Sequence, residues 1–304
     1  MEYLLTTNSI TKRFGHHTAV NNVSLHIKQG DIYGLIGRNG AGKTTLLRMI
    51  GGLASSTSGD FTLFNKTGRE VLPLMTRIGL LIEQPGLYTG MSAADNMKLQ
   101  CLARGVKGKK CIDELLALVG LSDVGKKRVQ NFSLGMKQRL GIAMAMVGDP
   151  DLLLLDEPIN GLDPQGIVEI REIITKLNRE KNITVVISSH ILEELSKMAT
   201  MYGIIHNGEL LEEISRDELS AKCCERIEIV VNNTAAACSV IETMGIMNYK
   251  VVDKNTIEIY ERLDESGAIT LELAKNDVKT ESVGVRRESL EEYYLNMTGG
   301  SRNV

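Results

Sequence analysis

The chain has 304 residues and a formal net charge of −3, with no Trp and only 4 Phe. That balance gives no basic footprint for nucleic acid and few aromatic platforms for stacking bases. An apolar fraction of 43% fits a globular core in one large domain or two ordinary ones, and no apolar run reaches the length of a membrane span.

The start, Met1-Glu2-Tyr3-Leu4-Leu5, lacks the basic segment and longer apolar stretch of a signal peptide. The cysteines, Cys101, Cys111, Cys223, Cys224 and Cys238, show no paired metal spacing. Their odd number, without a signal peptide, fits reduced thiols in a cytoplasm. The adjacent pair Cys223 and Cys224 reads as two incidental small residues at a domain junction rather than as a redox pair.

Along the chain, residues 1–29 alternate short strand-like runs with turns, and Ala19 to Ile27 alternates well. Asp31–Ile36 has strand character, and Leu46–Ile50 reads as the first turns of a helix. Ser55–Asp60 reads as a loop leading to a strand at Phe61–Phe64, and Ile78–Ile82 as a buried strand. From Met91 to about Gly141 the pattern is helical, with apolar residues at Ile112, Leu115, Leu116, Leu118 and Val119. Asp151–Asp156 and Ile183–Ser188 are near-continuous apolar runs of the parallel-sheet kind, with a helix around Val168–Arg179 between them. Strands alternating with helices predict a parallel sheet with crossovers. The character changes near residue 216. From Arg226 the order is strand (Ile227–Val231), helix (Thr234–Met244), strands (Tyr249–Asp253 and Thr256–Tyr260), helix (near Ser266–Lys275), strand (near Ser282–Val285) and a last helix from Ser289 to about Met297. This β-α-β-β-α-β order predicts a small ferredoxin-like α+β domain over 216–304.

Residues 37–45 read Gly37-Arg38-Asn39-Gly40-Ala41-Gly42-Lys43-Thr44-Thr45, which is Gly-x-x-x-x-Gly-Lys-Thr between a strand and a helix. That context aims backbone N–H groups at a polyphosphate. Lys43 is placed to reach the β- and γ-phosphates, and the Thr44 hydroxyl to ligate Mg²⁺. A second element is Leu152–Pro158, Leu-Leu-Leu-Leu-Asp-Glu-Pro. A buried strand ends in Asp156, a candidate holder of Mg²⁺ beside the glycine-rich loop. Glu157 follows at once, where it can polarise a water attacking a γ-phosphate.

The combination resembles the ATP-binding subunit of ABC transporters over about residues 1–215, a P-loop NTPase cassette with a helical subdomain at about 88–150. The family's signature segment, Leu-Ser-Gly-Gly-Gln, corresponds to Phe132-Ser133-Leu134-Gly135-Met136. Ser133 and Gly135 fit it, while Phe132, Leu134 and Met136 depart from it. Ser133 is a good N-cap whose helix would point its positive end at a γ-phosphate. Read alone, the segment is equally a simple helix start. The resemblance further implies Gln84 as the Q-loop glutamine, a Mg²⁺ and water contact, and Asp163 in Asn160-Gly161-Leu162-Asp163 as part of a D-loop at a dimer interface. It implies His190 as the switch histidine and Phe14 as the aromatic that stacks on adenine.

The same resemblance carries the functional expectation. The cofactors are ATP and Mg²⁺, and two cassettes, read as copies of one chain, sandwich two ATP molecules. Each P-loop then faces Ser133 of the other copy. Thr44, Gln84 and Asp156 hold Mg²⁺, and Glu157, His190 and Lys43 are catalytic. The engine is peripheral on the cytoplasmic face of the cell membrane and drives a separately encoded permease. The segments Ile82–Tyr88 and Phe132–Ala143, with the C-terminal extension, are similar to the bacitracin-type and lantibiotic-immunity exporters, so the expected cargo is a peptide antibiotic. Export of a drug, a lipid or Na⁺, or a non-transport ABC ATPase or regulator, are the alternatives.

Overall fold

The computed structural model describes residues 3–106, 109–223, 225–287 and 289–299. Cys224 and the first two residues therefore lie outside the described residues. The chain divides into two compact units, Met1–Arg216 and Asp217–Val304.

The first unit opens with three strands, β1 (Tyr3–Phe14), β2 (His17–Val23) and β3 (His26–Lys28), followed by β4 (Ile32–Ile36) and helix α1 (Lys43–Ile50). Then come β5 (Ser58–Leu63), β6 (Ile78–Leu81), α2 (Ala93–Ala103), α3 (Lys109–Leu118) and α4 (Leu134–Ala145). The unit continues through β7 (Leu152–Asp156), α5 (Pro164–Lys181), β8 (Thr184–Ser189), α6 (Leu192–Ser196), β9 (Met201–His206) and β10 (Glu209–Ser215).

Two sheets form from these strands. In the smaller one β1 pairs antiparallel with β2, β3 and β5. In the larger one the order is β10-β9-β4-β8-β7-β6. Its strands β9, β4, β8, β7 and β6 run parallel, and only β10 is antiparallel. Parallel strands covered on both faces read as near-continuous apolar runs. Accordingly every residue of β4, β7 and β8 is buried. Their side chains form the core with Leu46, Leu47 and Ile50 of α1 and with Leu5, Ile27 and Leu63 of the smaller sheet.

Two local expectations change. The alternating run Ala19–Ile27 is not one strand but parts of β2 and β3. Asn22, at φ +53°, bends the chain near the end of β2, and Leu25 in the break is fully buried. The Ser58-Gly59-Asp60 stretch is not loop but the start of β5, because its backbone pairs with Asn8 and Thr11 of β1. A polar sequence concealed a strand whose first residues face solvent.

The second unit begins in α7 (Arg216–Lys222), whose first residue belongs to the first unit. It continues through β11 (Glu225–Val231), α8 (Thr234–Thr243), β12 (Tyr249–Val251), β13 (Thr256–Ile259), α9 (Ser266–Lys275), β14 (Thr280–Arg287) and α10 (Leu290–Met297). Its sheet has the order β12-β13-β11-β14, with every neighbouring pair antiparallel. This interleaves two β-α-β units. One face is a dry core in which Ile227, Ile229 and Ile257 meet Ile241 of α8 and Leu273 of α9. Behind the core residues of β11 and β13, on alternate positions, lies a close ion pair, Arg226 Nε to Glu258 Oε1 at 2.7 Å.

Candidate functional site

The topology of the larger sheet brings three sequence-distant loops together. β8 lies between β4 and β7, with Ile36 beside Ser189 and Asp156 beside Ser188. The loops leaving the carboxyl ends of these three strands carry Gly37–Gly42, Glu157 and His190. Open parallel sheets bind ligands at such strand ends.

The first loop is shaped by its glycines. Gly42 sits at φ +106°, and a Cβ there would lie 2.4 Å from the Ala19 carbonyl oxygen. As the N-cap of α1 it offers no side chain, so no cap consumes the first N–H groups of the helix. Those donors stay free for an anion. Lys43, 5% exposed, points back under the loop and donates to the Gly37 carbonyl at 2.6 Å and the Arg38 carbonyl at 3.3 Å.

Around this loop the polar groups converge. The Thr44 hydroxyl donates to Asp156 Oδ2 at 2.7 Å. The Lys43 ammonium lies 3.2 Å from Glu157 Oε1, which is buried and has no aligned hydrogen-bond partner. His190 Nδ1 is 2.8 Å from Glu157 Oε2. Glu157 is held at φ +49°, a left-handed backbone that is unfavourable for a residue with a side chain. Its carbonyl accepts from Asn160 N–H at 3.1 Å, closing a tight turn. The Ser189 hydroxyl accepts from Ile191 N–H at 2.9 Å, which bends the chain after β8 and returns His190 toward Glu157.

A cleft of about 340 Å³ is lined by Phe14, His17, Ala19, Asn39, Gly40, Ala41, Gly42, Lys43, Thr44, Thr45 and Glu157. Phe14 closes the β1–β2 hairpin opposite His17, and its ring is 55% exposed, with Lys12 Nζ 5.1 Å from the centroid. An exposed aromatic at the edge of a phosphate cradle is a ready face for a base.

Other sequence-predicted residues stand apart from this cleft. Gln84 is exposed in the segment after β6 and does not line it. Neighbouring Glu83, at φ +61°, pairs with Arg48 of α1 at 2.6 Å. Ser133 is exposed and caps α4, its hydroxyl accepting from Met136 N–H at 3.2 Å. Leu134 is also exposed, and its side chain lies against Gly161. Gly135 and Met136 are half-buried in the first turn of α4. Asp163 caps α5 by accepting from Gly166 N–H at 3.1 Å. None of these six lines the cleft of its own chain.

Sequence reasoning missed His17 and Ala19, which line the cleft only because a hairpin folds over the loop. It also missed Ser188, the buried partner of Asp156. Its available signal was the polar ending of the apolar strand Ile183–Ile187.

The residues present suit nucleotide and metal. The cradle excludes a Cβ at Gly42, and its helix donors are uncapped. Among the described residues no group of three or more His, Cys, Asp or Glu is arranged to hold a metal. One hydroxyl and one carboxylate, Thr44 and Asp156, instead match a Mg²⁺ that takes its remaining ligands from phosphate and water.

The fold and this strand-end site define a P-loop ATPase cassette. The sequence of residues 20–160 matches the ABC transporter family model. The chain is 43% identical to an uncharacterised ABC transporter ATP-binding protein, YcbN of Bacillus subtilis, over 99% of both chains. It is 41% identical to the bacitracin transport ATP-binding protein BcrA of Bacillus licheniformis, again over 99% of both. It is 44% identical to the lantibiotic transport ATP-binding protein SrtF of Streptococcus pyogenes, over 76% of this chain and 96% of the relative. Among solved structures, the dimeric ADP- and phosphate-bound cassette MJ0796 is 27% identical with a TM-score of 0.63, covering 70% of this chain and 98% of that one. The chain belongs to the ATP-binding subunits of ABC transporters.

Proposed function

We propose that this chain hydrolyses ATP to power export of a peptide antibiotic of the bacitracin or lantibiotic kind through a separate membrane permease. The observation that carries the catalytic part is the convergence of Lys43, Thr44, Asp156, Glu157 and His190 at three adjoining strand ends. Cargo is assigned from relatives, since BcrA and SrtF are named for bacitracin and lantibiotic transport.

In this reading the α1 N-terminus and the loop from Gly37 to Thr45 cradle the phosphates, while Phe14 stacks on adenine. Lys43 leaves the carbonyls of Gly37 and Arg38 and turns its ammonium to the terminal phosphates. Thr44 and Asp156 are the residues that would hold Mg²⁺, with Gln84 joining when the loop after β6 closes. The metal supplies charge neutralisation at the phosphates. Glu157 accepts a proton from the attacking water, and His190 keeps its carboxylate oriented through the 2.8 Å contact. Glu157 Oε1 has no hydrogen-bond partner in the structure and lies 3.2 Å from the Lys43 ammonium, which leaves that oxygen able to accept from water once Lys43 turns to the phosphates.

Ser133, Leu134, Gly135, Met136 and Asp163 are assigned to a second copy's site. Their place at helix N-termini, with Ser133, Leu134 and Asp163 exposed and all five away from their own cleft, supports a head-to-tail dimer. MJ0796 is a cassette solved as a dimer. Exposed Tyr88, Leu99 and Leu102 in the segment after Gln84 offer apolar surface to a permease. Among the described residues no helix is long and apolar enough to cross a membrane, so the spanning part is assigned to that permease. We place the working assembly on the cytoplasmic face. The first unit is taken as the cassette and the second as an accessory module that braces packing or the dimer.

The test is magnesium-dependent ATPase activity of the purified chain against protein concentration, beside Glu157→Gln. A rate per chain that rises with concentration and disappears in the variant supports a dimeric engine. Equal rates in the two proteins remove Glu157 as the base. For cargo, disruption of this chain in its host should lower resistance to bacitracin or a lantibiotic. Unchanged sensitivity to both sinks the cargo assignment alone.

A further inference from the structure

We propose that Ser188 is a positioning residue that sets both carboxylates of the site, and through Asp156 the affinity for Mg²⁺. The inference rests on the reading above that Asp156 serves the metal and Glu157 the water.

Ser188 is fully buried and stands directly beside Asp156 in the parallel ladder. Its hydroxyl has one proton, which it donates to Asp156 Oδ1 at 2.6 Å. A lone pair of the same oxygen accepts the Glu157 N–H at 2.9 Å, and the Ser188 carbonyl shares that N–H at 3.2 Å. One side chain thus holds a carboxylate oxygen of one residue and the backbone of the next.

Two consequences follow from the geometry. The Ser188 bond to Oδ1 and the Thr44 bond to Oδ2 at 2.7 Å together fix the carboxylate plane of Asp156. Oδ2 is thereby held beside Thr44, the other residue assigned to the metal. Second, the shared N–H anchors Glu157 in its left-handed turn, and this turn directs the side chain to His190 and Lys43. An alanine or an apolar β-branched residue would satisfy the burial at this strand end but neither hydrogen bond. Groups that orient a metal's own ligands control its affinity strongly, by about 10- to 100-fold when removed.

The test is a Mg²⁺ titration of binding of a fluorescent ATP analogue to the purified chain, with Ser188→Ala, Ser188→Thr and Asp156→Asn alongside. Ser188→Ala should need about ten-fold more Mg²⁺ for half-maximal tightening, with affinity in the absence of metal unchanged. Ser188→Thr keeps the hydroxyl and should return close to the wild-type titration. A Ser188→Ala curve that coincides with wild type overturns the proposal, as does an equal loss of metal-free affinity, which marks a merely structural residue. A threonine variant that binds nucleotide but titrates like the alanine also overturns it, because the hydroxyl is then not the operative group. If Asp156→Asn titrates like wild type, the parent reading of Asp156 falls, and the proposal with it.

Discussion

The Lys43 ammonium and Glu157 Oε1 form an ion pair at 3.2 Å between a buried lysine and a half-buried glutamate that lie far apart in the sequence. In the proposed mechanism the cation assigned to the phosphates and the carboxylate assigned to the water hold each other here, and bound nucleotide separates them. Glu157→Gln should therefore leave ATP affinity unchanged or tighter, since Lys43 no longer has a carboxylate to leave. Turnover should fall by about 10²–10⁴, the usual contribution of a general base. Equilibrium binding of a fluorescent ATP analogue and phosphate release measure the two effects separately. Weaker binding in this variant contradicts the exchange.

The two loop glycines make different demands. Gly42 combines φ +106° with a carbonyl 2.4 Å from the position of a Cβ, so Gly42→Ala should displace the β1–β2 hairpin and abolish nucleotide binding. Gly40 has φ +83° with nothing within 4 Å, so Gly40→Ala should cost only about 1–2 kcal/mol of backbone strain. Chemical denaturation beside nucleotide binding separates the two, and equal defects would contradict the steric account.

Phe14 is too exposed to matter much for folding. Phe14→Ala should leave the unfolding midpoint within error and weaken ATP binding by about ten-fold, as expected of one stacked ring. Phe14→Tyr should restore it. An unchanged affinity in the alanine variant would move the adenine site elsewhere.

In the second unit, Arg226 and Glu258 are 7% and 9% exposed in their side chains and 2.7 Å apart, and Tyr260 donates to the second Glu258 oxygen at 2.7 Å. Arg226→Ala strands a buried carboxylate and should cost about 3–5 kcal/mol of that unit's stability. The double replacement Arg226→Met with Glu258→Leu should cost much less. Thermal unfolding of the three proteins checks the ranking.

Burial raises the Asp31 carboxyl above its ordinary range, against the pull of Lys28 N–H and the Thr200 hydroxyl, which lower it. Because the folded value lies above the unfolded one, the folded chain keeps a proton that the unfolded chain has already lost. Stability from this group therefore falls as pH rises from the usual carboxylate range through the folded value, then levels off. Wild type should lose stability relative to Asp31→Asn over that acid window. Denaturation curves collected across it test the sign, and a difference that moves the other way excludes desolvation as the dominant cause.

Much of this molecule is legible as a string because its chemistry is contiguous there. A phosphate cradle is built from successive backbone N–H groups, so Gly37–Thr45 announces itself by its glycines, its Lys-Thr pair and the strand and helix that flank it. The buried strands are legible for a related reason, since Leu152–Leu155 and Thr184–Ile187, enclosed on both faces, leave no polar alternation to misread. The helix expected near Ser266–Lys275 spans those residues. Where the backbone alone makes the structure, as in the polar opening of β5, side-chain pattern is silent, because its hydrogen bonds to β1 are made by every residue type.

What only the tertiary structure decided is the order of strands and its consequences. Nothing in the string says that β8 inserts between β4 and β7, yet that adjacency puts Ser188 against Asp156 and His190 against Glu157. Hydrogen bonds reach about 3 Å, whereas these partners stand more than thirty residues apart, so only the folded sheet can select them. The string named the residues able to carry charge and protons. The sheet chose which of them meet.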